Sequence, residues 1–432
     1  MNNELMIVHN SKPLKGSVPV DGAKNSVLVL MATTLLVDGT FIFSNVPILE
    51  DVLVMAQLLR HIGSKVIFDT KKKQLTITTS INTSLIPDVL LNKMRASILV
   101  LAPLLARTGH ASFSQPGGCN LGKRPLDYHI KALEKLNVSF AYSDIIIASV
   151  KQFKPNKIIL DYPSVGATET ALLAAVNIKN KTSIINASLE PEVTELVSFL
   201  NLMGAKISYD LPATIIIDGG YELKSIDHVI MPDRLEAGSL ILAALATKGE
   251  INLTNVRPDH LDLFLEKISE MGHFVEIGDN FITCKYSFNS KAVSIRTAPY
   301  PGFPTDLLAP MMALLCITNG ESFIEEGVFD DRLGHVTYLK SLGANIDLKS
   351  NTNAVINGVE SLVCNNVKAT NIRAACALVI AGLAATGITV IDNVFHWHRG
   401  YGEMLEKLQK LGANIYLTNK SEFILNQVQK NI

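Results

Sequence analysis

Residues 371–393 read NIRAACALVIAGLAATGITVIDN: a polar lead-in, an almost unbroken apolar run, a Thr386-Gly387 turn and a β-branched segment. The run holds Gly382, Thr386, Gly387 and Thr389, so it reads as a buried helix feeding a strand and not as a membrane span. The pattern is one of six. Its turn falls at Gly39, Gly109, Lys181, Gly249, Gly320 and Gly387, in steps of 70, 72, 68, 71 and 67 residues. A second landmark, a Leu-rich segment closing on Gly-Ala or a near equivalent, falls at Gly63, Asn137, Gly204, Gly272, Gly343 and Gly412. Two landmarks sharing one period mark a repeated supersecondary block that buries its apolar face against its neighbours.

Each block reads as helix, strand, turn, helix, strand, strand. The first helices are predicted over 26–36, 94–106, 168–176, 235–246, 306–316 and 373–385, nearly all apolar and hence buried on most sides. The second helices, such as 338–342 before Gly343, are amphipathic and keep a wet face. One buried and one half-buried helix beside a sheet give an α/β chain of α+β texture. Six blocks exceed one core, so two lobes of three blocks are expected, with crossings near 19–23 and 229–232 and a ligand cleft between the lobes.

The 432 residues are 48% hydrophobic and 18% charged with net charge −1, and no basic stripe occurs. That argues against nucleic-acid and anionic-membrane partners. The first residues lack a basic and apolar leader, so no secretory signal is expected. Five cysteines in no metal-binding spacing indicate reduced thiols in a cytoplasm. Cys284, Cys316, Cys364 and Cys376 sit in apolar or strand-like settings that suit packing. His396-Trp397-His398 alternates as a strand would, but has no third metal ligand in view, and Asp330-Asp331 reads as a solvated turn or a partner of Arg332. No Walker loop, GxSxG or HExxH is present.

Chemistry is expected where blocks depart from the pattern. Each buried helix has a polar lead-in: 22–25, 93–95, 166–169, 233–236, 304–306 and 371–373. Lys24, Arg95 and Arg373 there face the positive pole of a helix, which disfavours them unless an anionic ligand sits among them. The alternative is ordinary capping by Thr, Asp and Asn. Segments 45–47, 115–119, 186–192, 255–259, 326–332 and 393–399 follow the first strand of each block and are expected to converge on one region. In the second block the landmarks lie 28 residues apart against 23 to 25 elsewhere. The extra length is 115–129, where Cys119 stands near Lys123 and Arg124, a setting that lowers a thiol pKa.

Several segments carry a resemblance. Gly22-Ala23-Lys24-Asn25, Gly117-Gly118-Cys119 with Gly122, Arg124-Pro125, Asp127 and His129, Pro163 to Glu169, Pro232-Asp233-Arg234, Phe303 to Asp306, and His396 with Arg399-Gly400-Tyr401 occur in order along the whole chain. In these the chain resembles the UDP-N-acetylglucosamine 1-carboxyvinyltransferase family of enolpyruvyl transferases. The resemblance implies a two-lobed inside-out α/β barrel of six βαβαββ repeats, three per lobe. Its lobes would be 24–230, and 1–23 with 231–432. It implies addition of the sugar 3′-hydroxyl to C2 of phosphoenolpyruvate, with C3 protonated, then phosphate elimination from a tetrahedral intermediate. That is the first committed step of peptidoglycan precursor synthesis. Implied catalytic residues are Cys119, Asp306, Lys24 and Arg399: Cys119 as proton donor to C3 or product-release group, Asp306 as base. Lys24, Asn25, Arg124 and Arg399 would bind phosphoenolpyruvate. Asn25, Arg95, Arg124, Pro125, Leu126, Asp127, Tyr128, Ser164, Val165, Gly166, Asp306 and Val328 would line the sugar-nucleotide site, with Arg332, Asn371 and Arg373 in support. No cofactor or metal is implied, since phosphoenolpyruvate is already an activated enol ether, and a cytoplasmic monomer is expected. Asn371 and His398 depart from the family, which usually has carboxylates at both positions; a change in how Arg373 and Arg399 are oriented is the expected result. Divergence toward another acceptor, such as shikimate 3-phosphate, or a weakly active sugar-nucleotide-binding paralogue, is the alternative.

Overall fold

The six second landmarks explain the block repeat locally. Gly63, Asn137, Gly204, Gly272, Gly343 and Gly412 all have positive φ, from 76° at Asn137 to 130° at Gly63. Each ends a helix in the left-handed region, where Gly and, next best, Asn are tolerated. At the first landmark of the third block the left-handed residue is Asn180, with φ 77°, one position before the expected Lys181.

The structure is a computed structural model that describes residues 3–114 and 126–421; Cys119, Arg124 and Pro125 lie outside that range. Two compact units divide the chain, Gly22–Met231, and Met1–Asp21 with Pro232–Ile432. Each has its own apolar core. Among the described residues there are six four-stranded sheets, three in each unit, all with one plan. A short edge strand runs parallel to the strand after the buried helix, which pairs antiparallel with the last strand of a hairpin. In the second block this is Leu85–Ile86, His110–Ser114, Ile145–Ser149 and Ser139–Ala141. With the edge strand included the block is βαβαββ.

Two blocks borrow their edges along the chain. Lys15–Pro19 leads into the Lys24–Thr33 helix yet borders Glu250–Thr254, with Gly16 opposite Ile251. His228–Val229 leads toward the Arg234–Ala246 helix yet borders Thr40–Ser44. The sixth block corrects the expected order. Its last strand is not C-terminal; Glu4–His9 lies between Ile388–Asp392 and Ile415–Asn419, with Met6 opposite both Ile391 and Leu417.

The buried first helices are Lys24–Thr33, Leu101–Thr108, Val165–Ala175, Arg234–Ala246, Thr305–Leu315 and Ile372–Ala384. The expected helix over 94–106 is instead a 3-10 stretch, Arg95–Val100, before Leu101–Thr108. Pro103 suits the first turn of the α segment, where a missing N–H costs nothing. In one unit the Arg234–Ala246, Thr305–Leu315 and Ile372–Ala384 helices pack on one another. A Cβ on Gly238 would sit 2.5 Å from Leu307 Cδ1, so this glycine sets the close approach beside Asp306.

Four of the post-strand segments open on an asparagine. Asn45, Asn186, Asn255 and Asn393 each follow a first strand with positive φ. Their side-chain amides donate to Ile230 O at 2.9 Å, Leu160 O at 2.9 Å, Val20 O at 2.6 Å and Ala369 O at 2.8 Å. Each carbonyl belongs to the residue after an edge strand, so these asparagines fasten the lead-in of the buried helix and are structural. Cys284, Cys316 and Cys376 are buried, and burial pushes each thiol up to about 12. Cys364 is exposed, contrary to a packing role. Among the described residues no helix is long and apolar enough to cross a membrane.

Candidate active site

The six lead-ins fall into two groups. Ser164, Asp233 and Asn371 cap their helices with side chains: Ser164 accepts from Ala167 N, Asp233 from Leu235 N and Glu236 N, and Asn371 from Ala374 N at 3.0 Å. Those are ordinary caps. Ala23, Met94 and Pro304 offer no side-chain cap, and they precede Lys24, Arg95 and Thr305-Asp306. The helix starts without a side-chain cap thus carry Lys24, Asn25, Arg95 and Asp306, while Ser164 to Gly166 and Arg373 lie at capped ones.

In the unit Gly22–Met231, Lys24 Nζ lies 3.4 Å from Asp51 Oδ2, an ion pair largely shielded from water. Gly22 admits no side chain, because a Cβ would stand 1.8 Å from Asn45 O. Asn25 follows in the first turn, half-buried. Arg95 opens its 3-10 turn near His129, whose pKa falls to about 4 through burial and the Arg95 charge. His129 Nδ1 is 2.8 Å from Thr170 Oγ1, and its ring fills the space where a side chain on Gly166 would lie. Ser164, Val165 and Gly166 form the start of that same helix. Leu126 precedes, and Asp127 and Tyr128 begin, the Asp127–Lys135 helix, with Lys131 Nζ 5.9 Å from the Tyr128 ring.

In the other unit Asp306 is the centre. Arg332 Nη1 donates to Asp306 Oδ1 at 2.8 Å, and Arg373 Nε donates to the same oxygen. Arg332 Nη1 also donates to Thr305 Oγ1 at 3.0 Å, and its guanidinium lies 3.7 Å from the Phe329 ring centroid. Asp330 and Asp331 are exposed, so Arg332 takes its carboxylate from Asp306 and not from its neighbours. Arg373 is held by Asp306, and Asn371 serves as the helix cap. His398 pairs with Glu4 Oε2 at 3.0 Å. Arg399 lies 5.9 Å from the Phe395 ring, and its charge together with burial lowers the pKa of His396. The 395–400 segment is helical, Phe395–Gly400, so His396 and His398 do not alternate along a strand. Among the described residues no group of three or more His, Cys, Asp and Glu is placed to hold a metal.

Buried residues to which the sequence assigned no role support the Asp306 cluster. Glu326 sits beneath it, and Tyr401, 5% exposed, has its pKa raised well above the ordinary value by burial, Cys376 and Asp306. His335 donates from Nδ1 to Arg332 O at 3.2 Å, and burial with the Arg373 charge lowers its pKa to about 4. The fold therefore prefers the neutral ring. Its contribution to stability is whole above the ordinary value of 6.5 and is lost as pH falls from there toward 4. At most it amounts to about 3 kcal/mol, at 1.36 kcal/mol per pH unit. His335→Asn should flatten the pH dependence of urea unfolding between pH 6.5 and 4. An unchanged slope would show that the ring takes its proton without cost.

A family model described as EPSP synthase (3-phosphoshikimate 1-carboxyvinyltransferase) matches residues 8–408. A UDP-N-acetylglucosamine 1-carboxyvinyltransferase 1 of Caldanaerobacter subterraneus is 44% identical over 411 residues, covering 95% of this chain and 98% of its own. One of Clostridium perfringens is 40% identical over 416 residues, covering 95% and 99%. The crystal structure of the enolpyruvyl transferase NikO from Streptomyces tendae superposes with a TM-score of 0.88 at 24% identity, covering 97% of this chain and 100% of that one. The EPSP synthase of Acinetobacter baumannii gives 0.73 at 17%, covering 96% and 100%. Both structures show the fold alone.

Proposed function

Because the chain belongs to the enolpyruvyl transferase family, we propose that it moves the enolpyruvyl group of phosphoenolpyruvate to the 3′-hydroxyl of UDP-N-acetylglucosamine, releasing phosphate. The observation that carries the chemistry is Asp306, a carboxylate clasped by Arg332 and Arg373 at a helix start without a side-chain cap. The near full-length likeness to relatives named for that sugar nucleotide supports the choice of acceptor.

Asp306 takes the proton of the 3′-hydroxyl as its oxygen bonds to C2, and Cys119 gives a proton to C3. Loss of phosphate from C2 and of a C3 proton, back to the Cys119 thiolate, then restores the double bond. Lys24, Asn25, Arg124 and Arg399 hold the phosphate and carboxylate of phosphoenolpyruvate, since two dense anions call for fixed cations. Arg95, Leu126 to Tyr128, Ser164 to Gly166 and Val328 face the sugar nucleotide, together with Pro125. Peptidoglycan precursor synthesis, a cytoplasmic setting and a monomeric state go with this reading.

The test is phosphate release from phosphoenolpyruvate by the pure, folded chain, with UDP-N-acetylglucosamine, with shikimate 3-phosphate, and with neither. Release that depends on the sugar nucleotide is expected; none, or release with shikimate 3-phosphate alone, overturns the reading. The thiol gives a second check. An epoxide-phosphonate alkylator should label Cys119 faster than the exposed Cys364 and leave the buried Cys284, Cys316 and Cys376 intact. The sugar nucleotide should speed the reaction at Cys119. Peptide mass mapping with equal labelling of Cys119 and Cys364 would count against a reactive loop thiol.

A further inference from the structure

Four blocks place an asparagine after the first strand, and the fifth places Glu326 there, following Glu321–Glu325. The exchange reverses the polarity of the contact. Each asparagine donates to a backbone carbonyl, whereas Glu326, 3% exposed, is surrounded by donors. Its Oε1 accepts from Thr297 Oγ1 at 2.8 Å, Val328 N at 2.8 Å and Phe329 N at 3.1 Å, and its Oε2 from Thr305 Oγ1 at 2.6 Å. Thr297 follows the Ile295–Arg296 edge strand, so the fastening of the helix lead-in is kept. What is new is the hold on Thr305, Val328 and Phe329.

We infer that Glu326 is a positioning residue for the transfer, setting the Arg332–Asp306 pair through Thr305 on one side and the Phe329 ring on the other. An acceptor-only group fixes the direction of the Thr305 hydroxyl, which then turns its lone pairs to Arg332 Nη1 at 3.0 Å. That same nitrogen donates to Asp306 Oδ1 at 2.8 Å. The two backbone N–H groups bound to Oε1 belong to the turn that lays the Phe329 ring against the guanidinium, 3.7 Å away. Arg332 therefore has its head gripped by a hydroxyl and its face by a ring, and one buried carboxylate governs both. A glutamine does not reproduce it. Its amide N–H₂ either faces the donors now held by Oε1 or donates to Thr305 Oγ1, whose own proton then loses the acceptor that fixed its direction.

This inference rests on the reading of Asp306 as the base, and the experiment separates the two. In the full chain, Glu326→Gln is expected to lower kcat for sugar-dependent phosphate release by about 10- to 100-fold, the scale of a small misplacement. KM for phosphoenolpyruvate should stay within about twofold, because the groups proposed to bind it are not touched. Thr305→Val should reproduce the loss, Thr305→Ser should restore it, and the Glu326→Gln/Thr305→Val double variant should be no worse than either single one. Wild-type kcat in Glu326→Gln, or single losses that multiply in the double variant, overturns the inference. If Glu326→Gln does not fold, the Thr305→Val and Thr305→Ser pair decides by the same criterion. A double-mutant cycle on urea unfolding between Glu326→Gln and Arg332→Met needs no turnover at all. Combined effects on the unfolding constant below the product of the single effects are expected, and a simple product overturns the positioning role. An inactive wild type that keeps this coupling would sink the activity and leave the positioning intact.

Discussion

Replacing Asp306 by alanine is expected to lower turnover roughly a thousandfold, inside the span of about 10²–10⁴ for a lost general base. The structure sharpens the expectation. Asp306 is the common acceptor of Arg332 and Arg373, whose side chains are 8% and 27% exposed. Removing it strands two guanidinium charges that were built around one carboxylate. Anionic substrates should then bind at least as well as before, so KM should hold or fall while kcat collapses. A purely structural ion pair would give the reverse, a loss of stability with turnover retained. Steady-state rates and urea unfolding of the same Asp306→Ala preparation separate these outcomes. Asp306→Asn keeps the shape but cannot take a proton, and should be as slow.

The largest effect on stability is expected at Lys407. Its Nζ lies 2.7 Å from Asp21 Oδ2 and 2.6 Å from Glu236 Oε1, and all three side chains are at most 11% exposed. Asp21 N donates to Glu236 Oε2 at 2.7 Å, and Asp233 N to Asp21 O at 2.7 Å, so the cluster gathers both places where the chain crosses between units. Lys407→Met would remove the cation that bridges two buried carboxylates, a cost of about 3–5 kcal/mol. Burial, and beyond it Asp21, raise the pKa of Glu236 to about 7 against the pull of Lys407. Without the lysine that pKa climbs further. A carboxyl with a raised folded pKa loses stability as pH rises, so the variant should be weaker at pH 8 than at pH 5. Equal stability at both values in urea titrations would show that the carboxylates remain solvated.

The α/β class and the six-block period were legible because they rest on local demands. A helix that must reverse into a strand needs a left-handed residue, and Gly or Asn at six evenly spaced positions shows that need. The edge strands were not placed; three of them, Leu85–Ile86, His228–Val229 and Ile295–Arg296, have two residues each, and alternation cannot be seen in two. Asp306 drew attention through its lead-in, but its partners Arg332 and Arg373 stand 26 and 67 residues away. Pairings at that separation are set by packing and leave no local trace. Glu326 did leave one, as the glutamate where four blocks have asparagine, yet without the hydrogen bonds its meaning was closed. His396 and His398 looked like strand alternation because two residues are too few to tell one period from another.

The Glu4–His9 strand has a temporal consequence. On a ribosome it emerges before the whole Gly22–Met231 unit, while both of its sheet neighbours, Ile388–Asp392 and Ile415–Asn419, are translated after that unit. The unit Gly22–Met231 can mature while synthesis continues, but the sixth sheet must wait for its two later strands with an early segment held unpaired. During that interval, chaperones and proteases meet an apolar ribbon whose partners do not yet exist.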